Sequence, residues 1–263
     1  MDNAYFTRYK AGDMITTVVF DLDDTLYDEI EYCKSGFAVV AEFLANLPES
    51  RLRGTAFQAV NTGRMPVPLE APPAETRRIF TALWEQFTYG NRAKTFNAAL
   101  EKLSMRYDDE LISELIELYR NHKPKITLPQ DSRDVLCELS TKYTLALLTD
   151  GFLPAQQLKV RALGIEEYFK CIVYTEQLGR DYWKPSPAGF EKIMQTLETK
   201  PENMAYIADN VKKDFIAPNK LGFSTIQLNR PARIHTDSSV EPDAAAQHII
   251  RQISQLSGLL ETL

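Results

Sequence analysis

The stretch ITTVVFDLDDTLY, Ile15 to Tyr27, decides the reading of the fold. Its first six residues are β-branched or apolar, the texture of a strand buried on both faces. The run breaks off at Asp21, with Asp23 and Asp24 close behind. Similar runs recur much later in the chain. YTLALL ends at Leu148 before Thr149, CIVYT covers Cys171 to Thr175, MAYIA ends at Ala208 before Asp209, and FSTIQL covers Phe223 to Leu228. Helical patterns lie between them, such as Pro187 to Leu197, with Phe190, Ile193, Met194 and Leu197 on one face. Strands alternating with helices predict a parallel sheet flanked by helices, an α/β fold. A short edge strand at His248 to Ile250 and a terminal helix are expected to close it.

The interval from Asp21 to Tyr143 breaks that rhythm, because a crossover needs only about a dozen residues or more. It reads as helices: Asp28 to Leu47, Glu75 to Tyr89 with Ile79, Phe80, Leu83, Trp84 and Phe87 as its stripe, Lys94 to Leu103, and a fourth opening at the N-cap Asp108. Met65 to Pro73 reads as a stiff loop and Asn229 to Asp243 as a polar one. An all-helical module is therefore expected after the first strand, leaving the core near Tyr27 and returning near Leu128 to Asp131.

Composition bounds the function. The chain has 263 residues, 44% hydrophobic and 25% charged, with 36 acidic against 30 basic side chains and a net charge of −6. That is ordinary for a globular protein and excludes wholesale disorder. It gives no global attraction to nucleic acid or anionic membranes. Three cysteines, Cys33, Cys137 and Cys171, without C-x-x-C spacing, argue against a disulfide framework and read as small buried hydrophobes. The first residues lack a signal-peptide pattern, and the longest apolar stretch, Phe37 to Ala45, is too short to span a bilayer. A cytoplasmic location is the expectation.

The chemistry belongs at the strand ends, where open parallel sheets bind ligands. Apolar strands that end in carboxylates need an explanation, since a buried unpaired charge costs several kcal/mol. Asp21 and Asp23, two residues apart, share a face in extended geometry, roughly 6–7 Å apart. Converging with Asp209, they make an oxygen-rich site suited to Mg²⁺. A carboxylate there can attack phosphorus and form an aspartyl phosphate. It repels a phosphate by about 4 kcal/mol per charge pair at an effective dielectric of about 20, so a metal and a fixed cation must offset that. Lys184, in WKPSPAGF, is the candidate cation. Thr149, Asp150 and Gly151, directly after a strand, are placed to hold phosphate oxygens. Asp23 would protonate the leaving alcohol and later deprotonate the hydrolytic water. That role calls for a raised pKa, expected from burial and the neighbouring carboxylate.

DLDDTLY (Asp21 to Tyr27), LLTDG (Leu147 to Gly151), the Lys184 turn and IADNVKKDF (Ile207 to Phe215) together resemble the four motifs of the haloacid dehalogenase-like superfamily, in the order of its phosphatase branch. Ala208 departs from the pattern, which usually has Gly there. The resemblance implies a Rossmann-like core over 1–26 and 129–263, with a helical cap domain over 27–128. It implies a nucleophile at Asp21, an acid/base at Asp23, phosphate binding by Thr149 and Lys184, and Mg²⁺ held by the Asp21 carboxylate, the Asp23 carbonyl and the Asp209 carboxylate. Asp214 matches the second acid of the last motif, as metal support or as a helix cap.

The resulting expectation is a Mg²⁺-dependent phosphomonoesterase acting on a small phosphorylated metabolite of sugar phosphate, phosphoglycolate or nucleotide type. A phosphomutase, a metal-free 2-haloacid dehalogenase, a phosphonatase using Lys34 or Lys94, and a non-catalytic phosphate binder are the alternatives. Asp24 reads as structural. His122, His235 and His248 read as surface or loop residues, and Trp84 and Phe87 as core of the helical module. Tyr27, Glu29, Tyr32 and Lys34 read as helix surface where that module begins, with a substrate-facing role as the alternative. Oligomeric state is not legible.

Overall fold

A computed structural model describes residues 14–48, 73–231, 233–234 and 242–263. The N-terminal segment, nearly all of the expected stiff loop, and His235 lie outside the described residues. The strands are β1 Thr17–Phe20, β2 Thr144–Thr149, β3 Cys171–Tyr174, β4 Met204–Ala208, β5 Ser224–Leu228 and β6 His248–Ile250. They form one sheet in the order β3-β2-β1-β4-β5-β6, with every neighbouring pair parallel. The helices are α1 Glu29–Asn46, α2 Ala74–Tyr89, α3 Thr95–Lys102, α4 Asp109–Asn121, α5 Gln130–Ser140, α6 Ala155–Leu163, α7 Ala188–Leu197, α8 Ile216–Leu221 and α9 Leu256–Leu260. From β1 the chain steps one way to β2 and β3, while β4 to β6 step the other way. The β1/β4 boundary is thus a topological switch point, where such sheets open a crevice.

The chain divides into two compact units, one of residues up to Ile30 with Ile126–Leu263, the other Glu31–Lys125. The first holds the sheet. All of β1 and β4 is buried, which their continuous apolar texture dictates. One side of the core joins Val19, Ala146, Leu148, Tyr206, Phe215 and Phe223 to Phe190 and Ile193 of α7. At Gly189 a Cβ would come 2.5 Å from Leu148 Cδ1, so the glycine permits the close helix–strand approach. Phe190 meets the Tyr206 and Phe223 rings edge-on, at centroid separations of 4.8 and 5.6 Å.

The regular elements of the second unit are, among the described residues, all helices. Phe37 of α1 sits amid Trp84, Phe87, Phe96 and Tyr119, with centroids 5.2–6.5 Å apart. The carboxylate of Asp108 accepts the Leu111 N–H at 2.8 Å and caps α4. Tyr32 is not helix surface but is buried, donating its hydroxyl to the Tyr119 carbonyl. His122 is likewise no surface residue. It is buried, with Nδ1 2.7 Å from the Tyr119 carbonyl and Nε2 3.1 Å from Ser35 Oγ. Lys34 is exposed and pairs with Glu31. Cys137 is exposed rather than buried, because α5 turns that side to solvent while Val135, Leu136 and Leu139 face inward.

Phe190→Ala is expected to lower unfolding free energy by ~3–5 kcal/mol, the range for a fully buried aromatic truncated in a packed core. Urea unfolding checks this. A loss under ~1 kcal/mol would mean that α7 does not anchor the sheet.

Candidate active site

Asp21 directly follows β1, and its N–H donates to the Ile207 carbonyl at 2.9 Å, which ties the end of β1 to β4. The chain then turns sharply, with Thr25 and Leu26 N–H groups donating to the Leu22 carbonyl at 3.4 and 2.9 Å. Asp24 takes φ 54°, a conformation Asp tolerates. Its carboxylate accepts the Glu29 N–H at 2.9 Å, at the start of α1, and the Ile234 N–H at 2.6 Å. Asp24 is structural, as expected.

Lys184 lies at the centre. Its Nζ is 2.6 Å from Asp21 Oδ1, 2.8 Å from Asp214 Oδ1 and 3.0 Å from the Tyr206 hydroxyl. Its side chain is 1% exposed. Burial lowers its pKa, but Asp21 and Asp214 reverse that and hold the ammonium well above its ordinary pKa. Burial pushes Asp21 up to about 7 against the opposing pull of Lys184. Asp209, just past β4, is pushed up to about 9 by burial and by Asp214 and Asp21. Its Oδ2 is buried with no hydrogen-bond partner. Carboxylate oxygens of Asp21, Asp209 and Asp214 lie within 4.8 Å of one another. Three hard oxygen donors, one of them orphaned, fit a divalent cation such as Mg²⁺. Asp214 also closes its own loop by accepting the Asn210 N–H at 2.9 Å.

Asp23 departs from expectation. Its carboxylate is outside that acidic trio and turns toward α6, held there by Tyr27, Gln156 and Lys159. The Tyr27 hydroxyl donates to Oδ1 at 2.6 Å, Gln156 Nε2 to Oδ2 at 2.8 Å, and Lys159 Nζ to both oxygens at 2.8 and 3.0 Å. Burial raises its pKa, but the Lys159 ammonium and these hydrogen bonds outweigh burial, so Asp23 lies below the ordinary Asp value, not above it. Asp21 and Asp23 still line one small cavity of about 100 Å³, with Asp24, Glu29, Asp150, Asp209, Asn210 and Lys213. Glu29, read as helix surface, belongs to this lining, and burial pushes it up to about 7. Tyr27 is fully buried rather than on a helix surface.

Thr149 ends β2 and is 1% exposed, its Oγ1 accepting from Gln156 Nε2 at 2.6 Å. Asp150 accepts from Thr175 Oγ1 at 2.8 Å, the Lys184 N–H at 3.2 Å and Lys213 Nζ at 3.0 Å, which fixes the loop after β2 against the Lys184 turn. Gly151 has φ +140°, and a Cβ there would fall 2.8 Å from Gln156 Cδ. The structure therefore gathers Asp21, Asp23, Thr149, Asp150, Gly151, Lys184, Asp209 and Asp214 at the carboxyl ends of β1, β2 and β4. Sequence reasoning missed Gln156, Lys159, Thr175, Tyr206 and Lys213. The KK pair beside Asp214 was the one visible hint of Lys213.

Such a switch-point site on a doubly wound sheet defines a class, and the haloacid dehalogenase-like hydrolase family matches residues 15–222. The chain belongs to that family. More particular likenesses are distant. A glyceraldehyde 3-phosphate phosphatase from Methanopyrus kandleri is 26% identical over 223 residues, covering 82% of this chain and 85% of that protein. The N-acylneuraminate-9-phosphatase of Rattus norvegicus is 23% identical over 256 residues, covering 95% of each. The crystal structure of a 2-haloacid dehalogenase from Pseudomonas syringae shares the fold, with a TM-score of 0.60, 23% identity, and coverage of 95% of this chain and 99% of that one. Among the described residues, no helix is long and apolar enough to cross a membrane.

Because Asp21 and Asp209 have raised pKa values, the folded metal-free protein binds protons that the unfolded chain does not. Its stability is therefore expected to fall as pH rises above the ordinary Asp value of 3.8, up to about 7 for Asp21 and up to about 9 for Asp209, by up to about 1.4 kcal/mol per pH unit for each group within its own range. Mg²⁺ should flatten the slope. Urea unfolding across this range with EDTA or Mg²⁺ measures it, and metal-free stability that rises with pH contradicts the assignment.

Proposed function

We propose that the chain is a Mg²⁺-dependent phosphomonoester hydrolase acting through an aspartyl phosphate on Asp21. The observation carrying this reading is the Asp21–Lys184–Asp214 contact set beside the orphaned Asp209 oxygen at the switch point. The likeness to phosphatases of glyceraldehyde 3-phosphate and of an N-acylneuraminate supports a small phosphorylated sugar as substrate. In this reading residues 1–26 and 129–263 form the catalytic core and 27–128 a cap.

In the first step an Asp21 oxygen bonds to phosphorus, the ester P–O bond breaks, and Asp23 gives a proton to the departing alkoxide, releasing the alcohol. Asp23 must carry a proton for this step, and an arriving phosphate dianion raises its proton affinity. In the second step a water oxygen bonds to phosphorus, the P–O bond to Asp21 breaks with its electrons returning to the carboxylate, and Asp23 takes the water proton. Inorganic phosphate leaves. The Thr149 hydroxyl and the N–H groups of Asp150 and Gly151 hold phosphate oxygens. Lys184 offsets the repulsion between Asp21 and phosphate. The Asp21 and Asp209 carboxylates and the Asp23 carbonyl, with Asp214 in support, would hold Mg²⁺, which would supply further charge neutralisation.

Hydrolysis of p-nitrophenyl phosphate is expected with Mg²⁺ and lost with EDTA. Asp21→Asn should lower kcat on the order of 10³-fold or more. Full activity without metal, or in Asp21→Asn, overturns the reading.

A further inference from the structure

We propose that Gln156 and Lys159 are positioning residues that fix the Asp23 carboxylate and tie it to Thr149. This rests on the phosphatase reading above and adds to it two residues outside the four sequence motifs.

Both side chains come from α6, three residues apart and so on one helix face. A Gln–Lys pair on a surface helix ordinarily points to water, yet Gln156 is 2% exposed and Lys159 3%. Gln156 places one amide nitrogen 2.6 Å from Thr149 Oγ1 and 2.8 Å from Asp23 Oδ2, spending both its hydrogens on a bridge. Lys159 spans both Asp23 oxygens and lies 3.7 Å from Glu29. With the Tyr27 hydroxyl on Oδ1, the carboxylate has one allowed orientation. Gly151 leaves the Gln156 side chain its path, since a Cβ at position 151 would press on Gln156 Cδ and Cγ at 2.8 and 2.9 Å. As a stabilising device this is a poor choice, because a well-packed apolar pair of similar volume is often as stable as a buried ion pair. Its geometric product is a defined distance between the hydroxyl that holds the phosphate and the carboxylate that moves the proton. Small misplacements of such groups slow reactions greatly.

Hydrolysis of the aspartyl phosphate depends most on that placement: water bonds to phosphorus, the bond to Asp21 breaks, and the water proton passes to Asp23. Formation of the same intermediate from p-nitrophenyl phosphate depends on it less, because p-nitrophenolate leaves without a proton. Loosening Asp23 should therefore trap the phosphorylated enzyme.

Rapid mixing of the Mg²⁺-loaded protein with p-nitrophenyl phosphate tests this in wild type, Lys159→Met, Lys159→Arg and the isosteric Gln156→Glu. Expected for Lys159→Met and Gln156→Glu is a kcat lower by ~10²-fold, a KM that falls in step so that kcat/KM stays within about threefold of wild type, and a burst approaching one p-nitrophenolate per enzyme. Lys159→Arg should recover most of kcat and lose the burst. Should Lys159→Met fail to fold, Gln156→Glu carries the same readout. Unchanged kcat, or a fall in kcat without a burst that tracks lowered thermal stability, overturns the positioning role while wild-type turnover leaves the phosphatase reading standing. A wild-type protein without turnover overturns both.

Discussion

Everything at the site depends on one buried ammonium. Lys184 sits between two carboxylates, Asp21 and Asp214, with little solvent to screen any of them. A lysine in that position is tolerable only because both acids are present, and the acids only because the lysine is. One cation against the three acids Asp21, Asp209 and Asp214 still leaves negative charge uncompensated, and the protein answers by pushing Asp209 toward its neutral form. A site in that condition is poised to exchange a proton for a harder positive charge.

The sheet order brings these groups together. Asp21 follows β1 and Asp209 follows β4, adjacent strands on opposite sides of the reversal in connectivity. Thr149 ends β2, the neighbour of β1 on its other side. Three short loops thus supply acids, a hydroxyl and turn amides without any long-range distortion of the backbone. Lys184 comes from the turn before α7, and α7 is anchored by Phe190 and by the close approach at Gly189. Rigid elements hold the polar groups, which is what a preorganised centre requires.

The positions that could be read in the sequence share one property: each of them interrupts a pattern. Asp21, Thr149 and Asp209 are polar residues where an apolar run stops, and Lys184 stands between tryptophan and proline in a turn. Gln156 and Lys159 interrupt nothing. A helix facing solvent would carry the same residues, and only the fold reveals that this face turns toward Asp23. The ionisation of Asp23 was misjudged for the same reason, since Lys159 is 136 residues away in the chain. Tyr206 was hidden differently, as an aromatic in a strand that reads as pure core. Cys137 and His122 were misplaced because a single small or amphipathic side chain has no periodicity of its own. The helices of the second unit carry long apolar stripes, and their existence and approximate extent followed from them.

Tyr206 belongs to two worlds. Its ring is wedged edge-on against Phe190, and its hydroxyl accepts from Lys184 and donates to Asp214 at 3.4 Å. A side chain of the oily interior is therefore also a strut of the ionic centre. Drift in the packing behind it cannot be silent: a cavity opened under that ring is transmitted as a displaced phenol, and the balance of charge above it shifts. Fold maintenance and chemistry are, at this one position, subject to the same selection.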